Sequence, residues 1–241
     1  MPFPKYRYVI TVALTLCAAT LTAQSIFRGT YVTEGGWGTL SVYKDGRFHI
    51  QSIGANGHSC DVQATMNGMK ATTSEGCSIL FERSLDRVHV SPDLRTEEMC
   101  RHHCGTRAAF EGDYFSEVSA CHANLLNQDR SRFAGLYRER KYREAAEVLG
   151  NLLIRCGRFL YWQPDAEVRN DLAVTYHHLH DDAACIGVLS PLRHVFVEDE
   201  RLTARALTPA DADWGEQMVK TTRFNWKACG GQVPEDNKTR E

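Results

Sequence analysis

The sequence lacks an excess of either charge: 28 basic residues stand against 30 acidic ones, a formal net charge of −2. Nucleic-acid binding calls for a basic face, and this balance gives it no support. After Leu21 no apolar run approaches the roughly 20 residues of a bilayer span. Nor is there a Pro- or Ser-rich stretch that would serve as a flexible linker. Catalytic signatures are missing as well: no Gly-x-Ser-x-Gly elbow, no His-Glu-x-x-His, no phosphate loop and no dinucleotide fingerprint. Gly35-Gly36-Trp37-Gly38 is glycine-rich but lies between strands and opens no helix, which sets phosphate binding aside. Asp165 and Glu167 are expected to cap a helix. A sequence without motifs still admits an enzyme, because catalytic groups converge in space. The expectation here is a non-enzymatic protein without a cofactor.

What is present begins with a leader pattern. Lys5 and Arg7 precede the apolar run Val9 to Leu21, and the small Ala23 follows. That order describes a secretory signal peptide over residues 1–23. Cys17 would suit a lipoprotein, but Leu16 occupies the place where a lipid-attachment motif needs a small residue. Loss of Lys5 and Arg7 with the leader reduces 28 basic residues to 26 against 30 acidic, a formal charge of −4. The mature chain is expected to be periplasmic or secreted, with no membrane span.

Export gives the cysteines a meaning. Of nine, Cys17 goes with the leader, leaving Cys60, Cys77, Cys100, Cys104, Cys121, Cys156, Cys185 and Cys229. An even number in an oxidising compartment argues for disulfides, although eight cysteines allow 105 pairings. Local pairing gives Cys60 with Cys77, Cys100 with Cys104, Cys121 with Cys156 and Cys185 with Cys229. The first would close a loop of 17 residues, worth roughly 3 kcal/mol.

From Gly29 to about Tyr114 the apolar pattern has period two. Thr39 to Tyr43 and Arg47 to Ile50 alternate around Lys44-Asp45-Gly46, and Asp-Gly is a strong hairpin signal. Asn56-Gly57 and Asn67-Gly68 punctuate the next runs. Further strands are expected at Cys60 to Thr65, Lys70 to Thr73, Ser78 to Phe81, Arg87 to Val90 and Arg107 to Phe110. About eight short strands indicate an antiparallel barrel or sandwich over residues 24–114. A helical insertion interrupts them, with Thr96 as its cap and Gly105 at its end. Within it, Cys100-Arg101-His102-His103-Cys104 could be a disulfide or a zinc site. An ideal helix holds positions i and i+4 slightly too far apart for an unstrained bond. This half, with its export, strand pattern and cysteines, looks like the small barrels of bacterial periplasmic lysozyme inhibitors. The inhibitors' Ser-Gly-x-x-Tyr loop is absent, so no inhibitory residue is carried over.

Residues 115–229 turn to a helical period, with residues 230–241 as a polar tail expected to be disordered. Leu136 to Leu149 and Tyr176 to Leu189 share one pattern: a Tyr-bearing apolar helix, a polar turn, a small residue, and a Leu four positions on. Ala145 and Leu149 lie on one face of the second helix, and Cys185 and Leu189 take the same places 40 residues later. The stretch resembles a tetratricopeptide repeat at Tyr142, Ala145, Leu149, Cys185 and Leu189. It departs from that family at Phe133 and Gly157, and in an offset longer than the family's 34 residues. The extra length falls near Gly157 to Pro164. Pro209 opens a last helix whose Trp214 and Met218 would cover the exposed end of the second hairpin. The fold class is thus α+β, a β-barrel or sandwich followed by two helical hairpins and a capping helix, the halves packed together.

Three surfaces invite a functional reading. Arg130, Arg132, Arg138, Arg140, Lys141 and Arg143 are interleaved with Asp129, Glu139, Glu144 and Glu147: a solvated face of helix pairs, or a site for an acidic partner on the turn holding Arg138, Arg140 and Lys141. Tyr161 and Trp162 on the inserted loop would cap the hairpins or anchor a partner. His177, His178 and His180 could bind a metal, or simply end a helix. The expectation is a protein-binding protein, an inhibitor or immunity protein against an envelope-acting enzyme or toxin. The alternative is an envelope scaffold that holds peptides, or components of an assembly, in its helical groove.

Overall fold

The computed structural model describes residues 27–54, 57–116, 121, 123–193 and 209–232, with backbone only at 209–212. The expected leader, most of the polar tail and Asn56 lie outside the described residues.

Alternation and turn chemistry build the first half. Leu40 and Val42, Phe48 and Ile50, and Val88 and Val90 each sit two apart and point inward, all nearly or fully buried. Eight strands follow: β1 (Gly29–Thr33), β2 (Gly38–Val42), β3 (Arg47–Ile53), β4 (Ser59–Asn67), β5 (Lys70–Thr72), β6 (Ser78–Arg83), β7 (Arg87–Pro92) and β8 (Gly112–Ser116). Each pairs antiparallel with the next, and β8 returns to β1 through Val32 and Phe115, so the sheet is a closed barrel without edges. Gly46 (φ 84°) and Gly68 (φ 64°) turn the Asp45-Gly46 and Asn67-Gly68 hairpins in the left-handed region, as their sequences require. Side chains fill the interior, as in other small barrels. Tyr114 is fully buried there; its hydroxyl donates to the Phe110 carbonyl (2.7 Å), and burial holds its phenol far above the ordinary range.

The last strand differs from the expectation. Arg107 to Phe110 is irregular, although Phe110 is buried, and the strand lies instead at Gly112–Ser116, across the expected boundary. Glu111 to Phe115 read as the boundary between the halves, yet the strand runs through it and needs glycine at its start. A Cβ at Gly112 would lie 3.2 Å from the Trp37 ring.

The first two disulfides are also exchanged. Cys60 bonds Cys104, and Cys77 bonds Cys100, in place of the local pairs. The reason is the short helix α1 (Glu97–Arg101), whose neighbourhood lies against one end of the barrel. Cys100 and Cys104 are a turn apart and reach two different places on the barrel, Cys77 just before β6 and Cys60 in β4, and Cys104 forms an isolated β-bridge with Cys60. Thr96 does not cap this helix; its hydroxyl accepts from the Ser78 N–H, and Asp93 caps the preceding 3-10 turn.

The second half consists of α2 (Ala123–Arg138), α3 (Tyr142–Cys156), α4 (Trp162–His178), α5 (Asp182–Leu189) and α6 (Pro209–Ala228). Two hairpins, α2–α3 and α4–α5, repeat in backbone detail at the 40-residue offset. Arg140 (φ 59°) and His180 (φ 57°) both take the left-handed conformation just past a helix end. Behind them Lys141 N–H donates to Leu136 (2.9 Å) and Asp181 N–H to Tyr176 (3.0 Å). Ala145 and Cys185 are both fully buried, the small residues that let the helices approach. The Cys121–Cys156 and Cys185–Cys229 bonds form as expected. Asp165 and Glu167 do not cap: Asp165 pairs with Arg169 (2.7 Å) and Glu167 with Arg130 (2.6 Å).

Helix α6 covers α4 and α5, burying Met218, Val219 and Trp226 with Cys185 and Leu189. A buried amide network sets its register. Asn170 Nδ2 donates to the Ala166 carbonyl (2.9 Å) and to Thr222 Oγ1 (2.9 Å), and Asn225 Nδ2 donates to Asn170 Oδ1 (3.0 Å).

The halves touch directly. The Arg158 guanidinium lies 4.0 Å from the Phe115 ring centre and pairs with Glu34, and Phe115 packs near Phe159. Gly36 meets the backbone there: a Cβ would come 2.5 Å from the Phe159 carbonyl oxygen and 2.7 Å from the Tyr161 nitrogen, and its φ of +62° also favours glycine.

Candidate functional site

Helix α4 carries two faces. Leu172 and Ala173 turn into the cores, while Glu167, Asn170 and Asp171, spaced three and four apart, share a polar face. That face forms the floor of a groove. Arg130 of α2 stands on one side, and Trp214, Gln217, Met218 and Thr221 of α6 stand on the other, around a cavity of about 250 Å³. Trp214 is held edge-to-face by Trp162 (centroids 5.0 Å apart), and Met218 is buried beside it.

The electrostatics of the groove are uneven. Glu167 has its cation in Arg130. Among the described residues, no group donates a hydrogen bond to the Asp171 carboxylate. Burial holds the Asp171 carboxyl above the usual aspartate range; Arg130 pulls it back down, and Glu167 adds to the rise. The groove therefore presents two carboxylates, one guanidinium and an aromatic wall.

A second cleft, of about 420 Å³, lies where the outer wall of β7 and β8 meets the helical half, lined by Glu34, Trp37, Asp86, Arg87, Asp113 and Arg158 among others. Its charges are largely matched internally. Arg87 pairs with Asp113 (3.0 Å), His89 approaches the same carboxylate (2.9 Å), and Arg158 holds Glu34. This cleft belongs to the junction between the halves.

Compared with models of protein families, with curated proteins and with solved structures, the chain matches none. Its function is read from its own geometry.

Arg138, Arg140 and Lys141 lie together on the exposed α2–α3 turn, away from both clefts. There Lys141 pairs with Glu139 (2.7 Å), lowering the carboxyl and raising the ammonium in pKa, and Arg138 Nε donates to the Ala134 carbonyl (3.1 Å). Tyr161 precedes α4 at the junction with the barrel, and Trp162 stands behind the groove wall through Trp214. The two aromatic residues thus serve different places.

Several side chains named in the metal readings have other partners. All eight cysteines among the described residues are in disulfides, and His103 is bound to Thr73 Oγ1 (3.1 Å) and Glu75 (2.9 Å). His178 stacks on Tyr142 (4.5 Å, 9°) and lies 3.0 Å from the Tyr137 hydroxyl. Among the described residues, no group of three His, Cys, Asp or Glu side chains is placed to hold a metal.

Sequence reasoning did not single out Asp171. Its signal was the spacing of Glu167, Asn170 and Asp171 by three and four along one helix. That spacing marks a face but does not say what the face meets.

Proposed function

We propose that this protein is an exported, non-enzymatic binding protein that seats a segment of a partner protein in the groove between α2, α4 and α6. It acts as an inhibitor or immunity protein toward an envelope-acting enzyme or toxin, in the periplasm or outside the cell. The observation that carries this reading is the groove itself: a preformed channel with an aromatic wall and a carboxylate left without a donor, on helices locked by two disulfides and a buried amide network. Preorganisation of this kind lowers the cost of ordering a surface on binding. The four disulfides suit an oxidising compartment. Among the described residues no helix is long and apolar enough to cross a membrane. The packed barrel interior leaves the groove and the outer surfaces for recognition. A tetratricopeptide-like arrangement of the hairpins favours the second reading, a scaffold that holds peptides in the same groove.

The test is affinity capture from a bacterial envelope with the mature chain as bait, beside the variants Asp171→Arg and Trp214→Ala and a third variant, Arg138→Glu/Arg140→Glu. Retention of one hydrolase or toxin that is lost with the groove variants, with inhibition of its activity by the wild-type chain, supports the first reading. Recovery of several assembly components supports the scaffold. Capture that survives both groove variants but fails with the turn variant moves the site to the α2–α3 turn and overturns the groove assignment.

A further inference from the structure

We infer that the groove recognises a lysine or arginine side chain of the partner segment, seated between the Asp171 carboxylate and the Trp214 indole. This rests on the reading of the groove as the binding site and adds to it the chemistry of what enters.

Size narrows the choice first. A cavity of about 250 Å³ is below the roughly 300–1,000 Å³ usual for small-molecule sites. It suits one long side chain of a larger partner. Charge narrows it further. An anionic group would need a free cation, and the groove's guanidinium, Arg130, is already held by Glu167 at 2.6 Å. With two carboxylates and one guanidinium in the lining, the groove is short of one positive charge. Asp171 is where that charge is missing, since among the described residues its carboxylate receives no hydrogen bond. A partly desolvated carboxylate without a donor is costly, and a cation supplied by the partner removes that cost.

The remaining lining fits the rest of such a side chain. An indole is the best aromatic partner for a cation, and the contact with Trp162 keeps Trp214 in place when the groove is empty. Buried Met218 offers an apolar surface to the methylene stem, which long basic side chains cover while their heads stay polar. Asn170 is unavailable to a ligand, because its amide is committed to Ala166, Thr222 and Asn225. Gln217 and Thr221 stand at the rim, in position to meet the partner's backbone.

The experiment uses the mature chain, labelled with nitrogen-15, and three acetylated and amidated pentapeptides: Ala-Ala-Arg-Ala-Ala, its lysine counterpart and its citrulline counterpart. Citrulline keeps the shape of arginine and loses the charge. The readout is the indole N–H resonance of Trp214, identified with Trp214→Phe. The arginine and lysine peptides are expected to shift it with saturable titrations, and Asp171→Asn is expected to weaken them by about tenfold or more, the size of a lost charge-assisted contact. The citrulline peptide is expected to bind the wild type and Asp171→Asn alike. Equal binding of arginine and citrulline peptides would overturn the charge preference while leaving the groove as a peptide site. No shift from any of the three would overturn the inference, and with capture independent of the groove variants the proposed function falls too. Self-association that disappears with Asp171→Arg would give the groove to a second copy of the chain, and would likewise overturn it.

Discussion

The barrel and the helical half solve the same problem of a small disulfide-bonded domain in opposite ways. The barrel closes: β8 returns to β1, every strand has two neighbours, and side chains fill the interior. Its outer charges also find partners, Asp113 with Arg87 and His89, Asp93 with Lys70 and Arg95, and Asp61 with His49. The helical half is an open array. Each hairpin buries one face on its neighbour, α6 covers one end, and a groove is left in which Asp171 lacks a donor among the described residues. Closure satisfies a structure's own groups, whereas stacking leaves a face over, and that face is where a partner can be accommodated.

The contrast can be broken at its strongest point by Phe48→Ala. Phe48 is 1% exposed in the single barrel core, and its truncation should cost about 3–5 kcal/mol. Urea unfolding followed by near-UV circular dichroism would show it, and the helical signal at 222 nm would persist to higher urea if the halves melt separately. Next comes Asn170→Ala, which removes the donor to the Thr222 hydroxyl and the side-chain acceptor of the Asn225 amide. A cost of about 1–3 kcal/mol is expected, with faster hydrogen exchange in α6 than in α2 and α3. Smaller and of opposite sign is Arg140→Gly with His180→Gly. Both residues hold left-handed backbone that glycine adopts freely, so each change should stabilise the helical half by about 0.5–1 kcal/mol and leave the barrel unchanged in thermal melts.

The gentlest test sharpens the comparison at Asp171. Burial raises its carboxyl pKa in the folded state. The stability linked to the protonated form is therefore fully present below the unfolded value of about 3.9, and is lost as pH rises through the folded one. Asp171→Asn should raise the melting temperature at pH 7, and the gain should shrink toward zero as pH falls below that window. A variant that is more stable at neutral pH and weaker in binding arginine peptides would tie the cost to the function.

The parts legible in the sequence are those carried by local signals. Period-two alternation and the Asp45-Gly46 and Asn67-Gly68 turns placed most strands, and the 40-residue recurrence placed both hairpins and their turns. The Cys121–Cys156 and Cys185–Cys229 bonds were found because sequence neighbourhood and spatial neighbourhood agree there. At Cys60, Cys77, Cys100 and Cys104 they disagree, since an antiparallel barrel brings the chain back across its own end. Glu111 to Phe115 was read as a boundary and not as a strand because Phe115 points outward, and its cover, Arg158 and Phe159, comes from the other half. The groove was legible only in outline: Trp214 and Met218 were placed on the last helix and Arg130 among the charges, while Asp171 gains its character from two helices distant in sequence.

The nested bonds at the end of the barrel have a consequence for how the chain matures. The Cys77–Cys100 loop spans 23 residues and lies wholly inside the Cys60–Cys104 loop of 44. If the inner bond forms first, it cuts its own loop out of the path between Cys60 and Cys104 and lowers the closure entropy of the outer one. If Cys100 and Cys104 are first oxidised to each other, both native bonds are blocked until an exchange reaction frees them. The order of oxidation is thus written into the nesting, and an isomerase would be needed most by molecules that begin with the shortest loop.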